Sequence, residues 1–200
     1  NLRLGLTSFK HVGVFPEQVP NWEYIYSHCK PGMKVLNLFA YTGGATLAAR
    51  AAGADVTHLD SVRQVVNWAR GNMDKSGMDG IHWVVEDAMK FVRREAKRGR
   101  LYDGIILDPP AYGHGPDGER WKLDDCLFDM LREVNKILSD KNSFMVLNLY
   151  SNGYSALLGE TIVKEALGLK GDYKMESGEL ALRDRFGKNL PLSIVVRLAR

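Results

Sequence analysis

The chain has 200 residues, 45% of them hydrophobic, and a formal net charge of +3 at pH 7. This length and apolar content predict one compact domain with a sizeable core. No stretch reaches the roughly 18 uninterrupted apolar residues of a membrane span, and residues 1–5 lack the layout of a signal peptide, so we predict a soluble, cytoplasmic protein. The small positive charge permits a polyanionic partner such as RNA without requiring one.

Strand-like and helix-like segments alternate from residue 33 to residue 167. Two strand-like runs follow with only a loop, 183–191, between them, so they must pair antiparallel. The pattern predicts an α/β, Rossmann-like doubly wound sheet of seven strands, mostly parallel, with an antiparallel C-terminal strand pair. The predicted strands are 33–39, 55–59, 81–85, 102–107, 143–149, 173–182 and 192–198, and the predicted helices are 45–52, 62–75, 88–97, 123–138 and 154–167.

The cysteines and the basic residues give weaker signals. Cys29 and Cys126 lie far apart and match no metal-ligand spacing, so we predict neither a disulfide nor a metal site. A dense basic run falls on the predicted helix 88–97 and its exit, where we favour a solvated face, with phosphate contact as the alternative. Its residues are Lys90, Arg93, Arg94, Lys97, Arg98 and Arg100.

A glycine turn follows the first predicted strand. Gly43 lets the backbone approach a ligand closely and frees amide donors. Asp60 ends the second strand 17 residues later, placed to accept both hydroxyls of a ribose. Together they predict an adenosine-type cofactor, although the glycines alone also fit a plain tight turn. Residues 41–46 read Tyr-Thr-Gly-Gly-Ala-Thr and not Gly-x-Gly-x-x-Gly, so no pyrophosphate seat for a nicotinamide cofactor is predicted.

A third acidic residue, Asp87, follows the third predicted strand. Asp87 or Ala88 could contact an adenine edge at this position. Asp87 could equally serve as the N-cap of the next helix, and the two roles are compatible.

The apolar run 104–107 stops at Asp108, Pro109 and Pro110. Continuous Ile and Leu predict a central strand buried on both faces, and the prolines cannot donate to a sheet, so the strand ends there. Asp108 is left at the carboxyl end of a central strand, where open α/β sheets bind ligands. Because two fixed φ angles stiffen the turn, we expect its carbonyls and the Asp108 carboxylate to face the crevice and to suit a nucleobase or amide donor.

These motifs together resemble those of class I S-adenosylmethionine-dependent methyltransferases over nearly the whole chain. More narrowly, residues 37–43, Asn-Leu-Phe-Ala-Tyr-Thr-Gly, and 108–112, Asp-Pro-Pro-Ala-Tyr, resemble bacterial large-subunit ribosomal RNA methyltransferases. In the adenine-N6 and cytosine-N4 enzymes an aromatic residue usually follows the second proline, so Ala111 counts against those two activities. The resemblance implies S-adenosylmethionine as cofactor and RNA, ribosomal RNA in particular, as partner.

The resemblance also implies the site residues. The glycine turn would line the methionine end of the cofactor, the acid after the second strand its ribose, and the residues after the third strand its adenine. The implied cofactor-binding residues are Phe15, Gln18, Phe39, Ala40, Tyr41, Thr42, Gly43, Asp60, Ser61, Asp87, Ala88 and Asp108. The implied catalytic residues are Asp108, Pro109, Pro110 and Tyr112.

Residues 13–18 take the place of the segment that closes over the methionine moiety in these RNA enzymes. Gln18 could bond the methionine carboxylate or amine, and Phe15 could present its ring to the sulfonium. Simple packing of Phe15 and Trp22 against the first helix is the alternative. We therefore expect an N-terminal segment, 1–30, that covers the cofactor site, and a methyltransferase domain, 31–200.

The first residues suggest a fragment. Leu2, Leu4 and Leu6 alternate like a strand with no partner upstream, and position 1 is Asn. We expect an upstream module to be missing.

The segments 108–112 and 148–151 contain no cysteine, which counts against a C5-cytosine mechanism and favours a base nitrogen or an oxygen nucleophile, as in the guanine-N7 relatives. Tyr112 would stack on an extruded base, with a buried loop anchor as the alternative. Residues 113–122 read as a flexible substrate lid in which His114 could accept a proton. A small-molecule or protein methyltransferase, or a nucleotide-binding module without catalysis, are the competing interpretations.

Overall fold

The computed structural model describes residues 1–5, 12–150 and 153–200. A short 3-10 helix, Pro16–Gln18, precedes the first α-helix. The helices are α1 (Val19–His28), α2 (Gly44–Ala51), α3 (Arg63–Lys75), α4 (Ala88–Lys97), α5 (Leu123–Asn135) and α6 (Ala156–Leu167). The strands are β1 (Lys34–Leu38), β2 (Asp55–Asp60), β3 (Ile81–Val85), β4 (Gly104–Leu107), β5 (Tyr112–His114), β6 (Arg120–Lys122), β7 (Phe144–Leu149), β8 (Lys174–Arg183) and β9 (Asn189–Ala199).

Seven of these strands form one sheet in the order β3-β2-β1-β4-β7-β9-β8. The five strands from β3 to β7 run parallel, and β9 lies antiparallel to both β7 and β8. The predicted fold class is confirmed. The strand order reverses between β1 and β4, so the crevice of the doubly wound sheet opens at the carboxyl ends of these two strands.

Two hydrophobic clusters cover the opposite faces of the sheet. Because successive strand residues point to opposite faces, Leu36 and Leu38 of β1 join one cluster while Val35 joins the other. Buried residues of α4, α5 and α6 pack in the first cluster, and those of α1 and α2 pack in the second. No helix among the described residues is long and apolar enough to cross a membrane.

Two element boundaries differ from the sequence prediction. Helix α5 ends at Asn135 and not at residue 138, because the chain turns there to bury Ile137. Strand β4 begins only at Gly104. Tyr102, which we expected at its start, forms an isolated bridge with Leu138. Residues 102 and 103, predicted as the start of this strand, therefore lie outside it, and Tyr102 pairs with the turn that follows α5.

The segment predicted as a flexible lid, 113–122, is an antiparallel hairpin of β5 and β6. Contacts hold this hairpin against the rest of the domain at two places, strand β6 and the turn between the strands. Trp121 is buried, and the Lys90 ammonium on α4 pairs with Asp117 (3.2 Å) and with Glu119. Sequence reasoning missed the hairpin because its Gly, Pro and charged residues carry no strand pattern.

The chain ends also differ from expectation. Residues 1–5 form no strand, and Leu6 of the predicted strand lies outside the described residues. At the other end, β8 and β9 are longer than predicted and pair as far as Arg183 and Asn189. The loop predicted over 183–191 is therefore only a five-residue turn.

Gly104 tests how closely β4 is packed. An added Cβ would lie 2.5 Å from the Phe144 ring and 3.1 Å from Val35. Gly104→Ala should therefore lower the free energy of unfolding by about 1–3 kcal/mol, the usual cost of overpacking a core. Gly178→Ala on β8 is the matched control, because nothing lies within 4 Å of its added Cβ. Urea unfolding measures both, and equal effects of the two substitutions would contradict this account of the packing.

Candidate cofactor and substrate site

Two adjoining concavities lie at the carboxyl edge of the sheet, and Phe39 lines both of them. The first is bounded by the N-terminal segment, the glycine turn after β1 and the ends of β4 and β7. The second lies between the ends of β2 and β3 and the β5–β6 hairpin. The structure thus brings the residues predicted from separate motifs to one edge. The first concavity receives the glycine turn, Phe15, Gln18 and Asp108, and the second receives Ser61, Asp87 and Ala88.

The glycine turn has an unusual backbone. Phe39 (φ 56°) and Tyr41 (φ 49°) are non-glycine residues in the left-handed region, and Gly43 (φ 89°) is the N-cap of α2. Such conformations cost free energy and concentrate at functional sites. Since Gly43 has no side chain to cap α2, the first amides of this helix are left for other acceptors beside the concavity.

The two glycines of the turn serve different purposes. Gly43 supplies the left-handed conformation, whereas Gly44 makes room for Trp22, whose ring atom Cζ2 would lie 2.5 Å from an added Cβ. The packing alternative for Trp22 is thus what the structure shows. The Thr42 hydroxyl donates to the Gly13 carbonyl (2.7 Å), which ties the N-terminal segment to the turn.

A buried polar chain supports this turn from below. Asn37 Nδ2 donates to Thr46 Oγ1 (2.9 Å), and Thr46 Oγ1 is hydrogen-bonded to His58 Nδ1 (2.8 Å). Burial lowers the pKa of His58 to about 3, with the Arg70 charge acting in the same direction. His58 therefore stays neutral at physiological pH and links β1, α2 and β2.

Asp60 ends β2 and holds the backbone on both sides of it. Its Oδ2 accepts the Tyr41 amide and its Oδ1 accepts the Val62 amide, both at 2.9 Å. Burial raises the pKa of Asp60, and the hydrogen bonds from backbone amides oppose that rise. The Ser61 amide is a third donor to this carboxylate, and Asp60 lines neither of the two concavities, so its contact with a ribose stays a prediction.

Asp87 is the N-cap of α4, as one of the two sequence interpretations required. Its Oδ1 accepts the Lys90 amide at 2.9 Å. Its side chain and Ala88 also line the second concavity, so the two predicted roles are compatible. Ser61 lies in the same lining and follows Asp60 directly.

Asp108 occupies the end of the central strand β4, as predicted. Its Oδ1 accepts a hydrogen bond from Asn148 Nδ2 (2.9 Å), and Asn148 Oδ1 accepts one from Ser193 Oγ (2.9 Å). Burial raises the pKa of Asp108 to about 7; the Asn148 hydrogen bond lowers it and the Glu17 charge raises it. A carboxyl with such a pKa can accept or hold a proton at neutral pH.

The Asp-Pro-Pro turn differs in one respect from the expectation. The Pro110 carbonyl, which we expected to serve a ligand, accepts the Trp121 indole N–H at 2.7 Å and is thus engaged within the chain. Pro109 is buried, whereas Tyr112 is 71% exposed at the start of β5. The alternative of Tyr112 as a buried anchor is therefore wrong, and Trp121 anchors the segment instead. His114 is exposed and lines the second concavity.

Sequence reasoning missed a buried hydrogen-bond network above the first concavity. Glu17 is 4% exposed and accepts the Tyr150 hydroxyl at 2.8 Å. The Tyr150 oxygen accepts Gln18 Nε2 (3.0 Å), and Gln18 Oε1 accepts Asn21 Nδ2 (2.8 Å). Asn21 Oδ1 in turn accepts two N–H groups of Arg197. The sequence signal that could have indicated this network is the position of Tyr150 directly after the buried strand β7.

Aromatic rings complete the roof of this concavity. The Phe15 ring lies 5.6 Å from the Tyr41 ring and 5.5 Å from the Tyr150 ring, measured between centroids. Phe15 thus packs against Tyr41 of the glycine turn and against Tyr150, which follows β7. Both Phe15 and Gln18 line the concavity, so their predicted contacts with a ligand are sterically open.

The basic run on α4 is mostly engaged within the chain. Arg94 pairs with Glu86, and the buried Glu95 pairs with Arg98 (3.2 Å) and Arg100 (3.3 Å). These contacts fit the solvated-face interpretation better than a phosphate-binding surface. Neither cysteine lines the two concavities. Cys29 is buried at the end of α1 and its pKa is raised to about 12 by burial, and Cys126 is partly buried on α5.

The electrostatic character of the first concavity restricts its ligand. Among the described residues that line it there is no Lys, Arg or His, whereas Asp108 lines it and buried Glu17 lies close by. A pyrophosphate would meet no compensating cation here. A ligand that combines positive charge with hydroxyl and amine groups is favoured. The domain is thus Rossmann-like, and the lining of its first concavity suits a ligand with a cationic end.

Comparison with known proteins identifies the family. The family of S-adenosylmethionine-dependent methyltransferases matches residues 1–178, and the chain belongs to it. The resemblance inferred from the sequence is confirmed. S-adenosylmethionine is the cofactor of this family, as that resemblance implied.

Individual proteins resemble the chain to different extents. The ribosomal RNA large subunit methyltransferase K/L of Shewanella frigidimarina is 29% identical over 150 residues, which are 73% of this chain and 21% of that relative. The chain thus spans about a fifth of the length of this curated relative. The SAM-dependent methyltransferase from Agrobacterium tumefaciens, known from a crystal structure, is 41% identical in sequence to this chain, with a TM-score of 0.91. The match covers 96% of this chain and 65% of the Agrobacterium chain. A protein from Streptococcus mutans described as a SAM-dependent methyltransferase shares the fold, with 19% sequence identity and a TM-score of 0.78. That match covers 94% of this chain and 50% of the Streptococcus chain.

The raised pKa of Asp108 predicts a pH-dependent stability. In the unfolded chain this carboxyl titrates near pH 3.9, but in the folded chain near pH 7. Between these values the unfolded chain has released a proton that the folded chain keeps, so the free energy of unfolding falls as pH rises. Asp108→Asn removes this effect. The free energy of unfolding of the variant should exceed that of the wild-type protein by an amount that grows between pH 4 and 7. This difference should reach at most about 4 kcal/mol and stay constant above pH 7.

Urea unfolding at several pH values measures this advantage. Asp129→Asn is the control, because Asp129 is exposed on α5 and forms no ion pair within the described residues. A constant difference between the Asp108→Asn and wild-type proteins across the whole pH range would contradict the prediction.

Proposed function

We propose that this chain transfers a methyl group from S-adenosylmethionine to a nucleotide of ribosomal RNA. One observation carries the proposal: the Asp108 carboxylate and the glycine turn line the same concavity at the switch point of a doubly wound sheet. A group able to handle a proton thus lies beside the place where a class I cofactor would bind.

The predicted cofactor residues fit S-adenosylmethionine in charge and in hydrogen-bonding groups. The concavity without basic side chains suits the sulfonium cation, and Phe15 and Tyr41 provide aromatic faces for it. The first amides of α2 and Gln18 would hold the methionine carboxylate or amine. Asp60 would accept the ribose hydroxyls, and the second concavity, with Asp87 and Ala88, would receive adenine.

The protein's own contribution is alignment and proton handling. When bound, the cofactor supplies a methyl group that is already electrophilic. Asp108 would accept a hydrogen bond or a proton from the target atom, and Asn148 would keep its carboxylate oriented. Exposed Tyr112 would stack on an extruded base next to this acid. Because neither cysteine lines the site, we assign a base nitrogen or an oxygen as the nucleophile.

RNA as the substrate rests on the relatives and on the sequence motifs. Curated relatives named ribosomal RNA large subunit methyltransferase K/L match most of this chain. A ribosomal RNA substrate also agrees with the cytoplasmic location expected from the sequence. The division into a covering segment, 1–30, and a methyltransferase domain, 31–200, is part of the proposal, and the contact of Thr42 with Gly13 supports it.

Asp60 tests the cofactor site. Asp60→Ala should weaken the binding of S-adenosylhomocysteine by about 10-fold to 100-fold, because it loses the ribose contact and releases the Tyr41 amide. Asp55→Ala, at the other end of the same strand, is the matched control and should change the affinity less than twofold. Isothermal titration calorimetry measures both. Unchanged affinity in the Asp60 variant would contradict the proposed ribose contact.

Asp108 tests the reaction. Asp108→Ala should lower kcat by at least about 100-fold, the usual contribution of a positioned acid or base, with the affinity for S-adenosylhomocysteine within about threefold of wild type. The assay uses isotopically labelled S-adenosylmethionine and deproteinised bacterial large-subunit ribosomal RNA, followed by mass spectrometry of the nucleosides. A parallel loss of affinity and rate would make Asp108 a cofactor ligand instead.

The same assay separates the alternative functions. Label that enters protein or small molecules, and not RNA, would favour the other methyltransferases of this fold. Cofactor binding without transfer to any acceptor would favour a module without catalysis.

A further inference from the structure

The β8–β9 hairpin extends beyond the sheet on the side of the candidate site. The pairing of β9 with β7 ends at Leu149 and Ile194, whereas its pairing with β8 continues to Asn189 and Arg183. Five further residues at roughly 3.4 Å each give an extension of about 17 Å. Because β7 is parallel to β4, this extension, residues 181–192, rises from the same carboxyl edge that carries Asp108. We call it the arm.

The base of the arm is connected to the candidate site. Ser193 Oγ donates to Asn148 Oδ1, and Asn148 Nδ2 donates to Asp108 Oδ1, both at 2.9 Å. Strand β9 is the second neighbour of β4 in the sheet, so the arm rises about 10 Å to one side of the acid. A polymeric substrate with one unit at Asp108 would therefore pass along the arm.

The tip of the arm carries a concentrated positive charge. Arg183, Arg185 and Lys188 are exposed, and none of the three forms an ion pair within the described part of the chain. The single acid among them, Asp184, is exposed, and its Oδ1 accepts the amides of Phe186 and Lys188 in the turn, each at 2.8 Å. The tip therefore carries three cations against one carboxylate. The arm tip thus differs from the α4 surface, where most basic side chains already have acidic partners.

An exposed aromatic ring lies between these cations. Phe186 is 75% exposed, and the Arg185 guanidinium lies 4.8 Å from the centre of its ring. Leu190, on β9 close to the turn, is 59% exposed. Exposed aromatic rings combined with cations are the features by which proteins hold single-stranded nucleic acids, since bases stack on the ring and phosphates meet the charges.

We propose that the arm binds the RNA strand next to the target nucleotide, with Phe186 stacked on a base and the three basic side chains on phosphates. This inference rests on the proposed function, because it takes RNA to be the substrate. Positive charge at the tip favours a polyanion over an apolar protein surface, and the position of the arm favours the substrate itself.

The charge part of the proposal is tested with a triple variant, Arg183→Gln, Arg185→Gln and Lys188→Gln. The probe is deproteinised bacterial large-subunit ribosomal RNA, and filter binding is measured over a range of salt concentrations. Loss of three phosphate contacts should reduce the slope of log affinity against log salt by about 2 and weaken binding by about 100-fold at 0.1 M salt. KM for RNA should rise, while kcat and the affinity for S-adenosylhomocysteine stay unchanged.

A second triple variant controls for total charge. Arg93→Gln, Lys97→Gln and Lys141→Gln removes three exposed basic side chains on α4 and in the loop before β7 that likewise form no ion pair within the described residues. It should leave both the slope and KM within twofold of wild type. An equal or larger effect of this control would overturn the assignment of RNA binding to the arm.

The stacking part is tested at Phe186. Phe186→Leu keeps an apolar side chain but removes the ring, and it should weaken RNA binding by about tenfold, whereas Phe186→Trp should preserve it. Full binding by the leucine variant would overturn the stacking. A change in sedimentation coefficient with unchanged RNA binding would instead make the arm a contact with a second copy of the chain.

The outcomes distinguish this inference from the proposed function. If the wild-type protein and the arm variant both methylate RNA and have the same KM for it, the inference alone is overturned. Wild-type protein that neither binds nor methylates RNA would overturn both. Methylation with a raised KM in the arm variant only would support both.

Discussion

The candidate site depends on the burial of one carboxyl group, Asp108, at the end of the central strand. Two prolines end the strand directly after it, and Asn148 on the neighbouring strand holds one of its oxygens. Burial raises the pKa of Asp108 to about 7, well above the ordinary value for this carboxyl group. A solvated carboxylate would be a much weaker proton acceptor. The destabilisation that its ionisation causes in the folded chain is the physical cost of a reactive group at this position.

Other hydrogen bonds in the site fix the segments that surround Asp108. Thr42 binds the Gly13 carbonyl, and Tyr150 joins Glu17 to Gln18, so the N-terminal segment is attached both to the glycine turn and to the end of β7. Buried polar groups of this kind are costly unless each one has a partner, and their mutual hydrogen bonds fix a single arrangement. This explains how a short segment outside the sheet can form one wall of a defined concavity.

The sequence predicted the sheet and its carboxyl edge well, because apolar runs and the residues that end them are local signals. The runs at 104–107 and 143–149 are buried strands, Asp60 ends its strand, and Asp87 and Asp108 come after theirs, as expected. Predictions were wrong where strands pair without an apolar pattern in the sequence. The β5–β6 hairpin has no strand pattern of its own, and the C-terminal hairpin is longer than its apolar residues indicate.

The sequence by itself determined the fold class, the family and the edge at which the site lies, since each follows from the order of local motifs along the chain. Only the tertiary structure decided which of those residues meet. In the folded chain Tyr150 is hydrogen-bonded to Glu17, and the Pro110 carbonyl accepts the Trp121 indole N–H. The C-terminal hairpin extends past the edge of the sheet. Tyr150 and Glu17 are 133 residues apart, whereas Pro110 and Trp121 meet only because the hairpin between them folds back. The burial and electrostatics that such contacts create depend on packing in three dimensions, which no local pattern records.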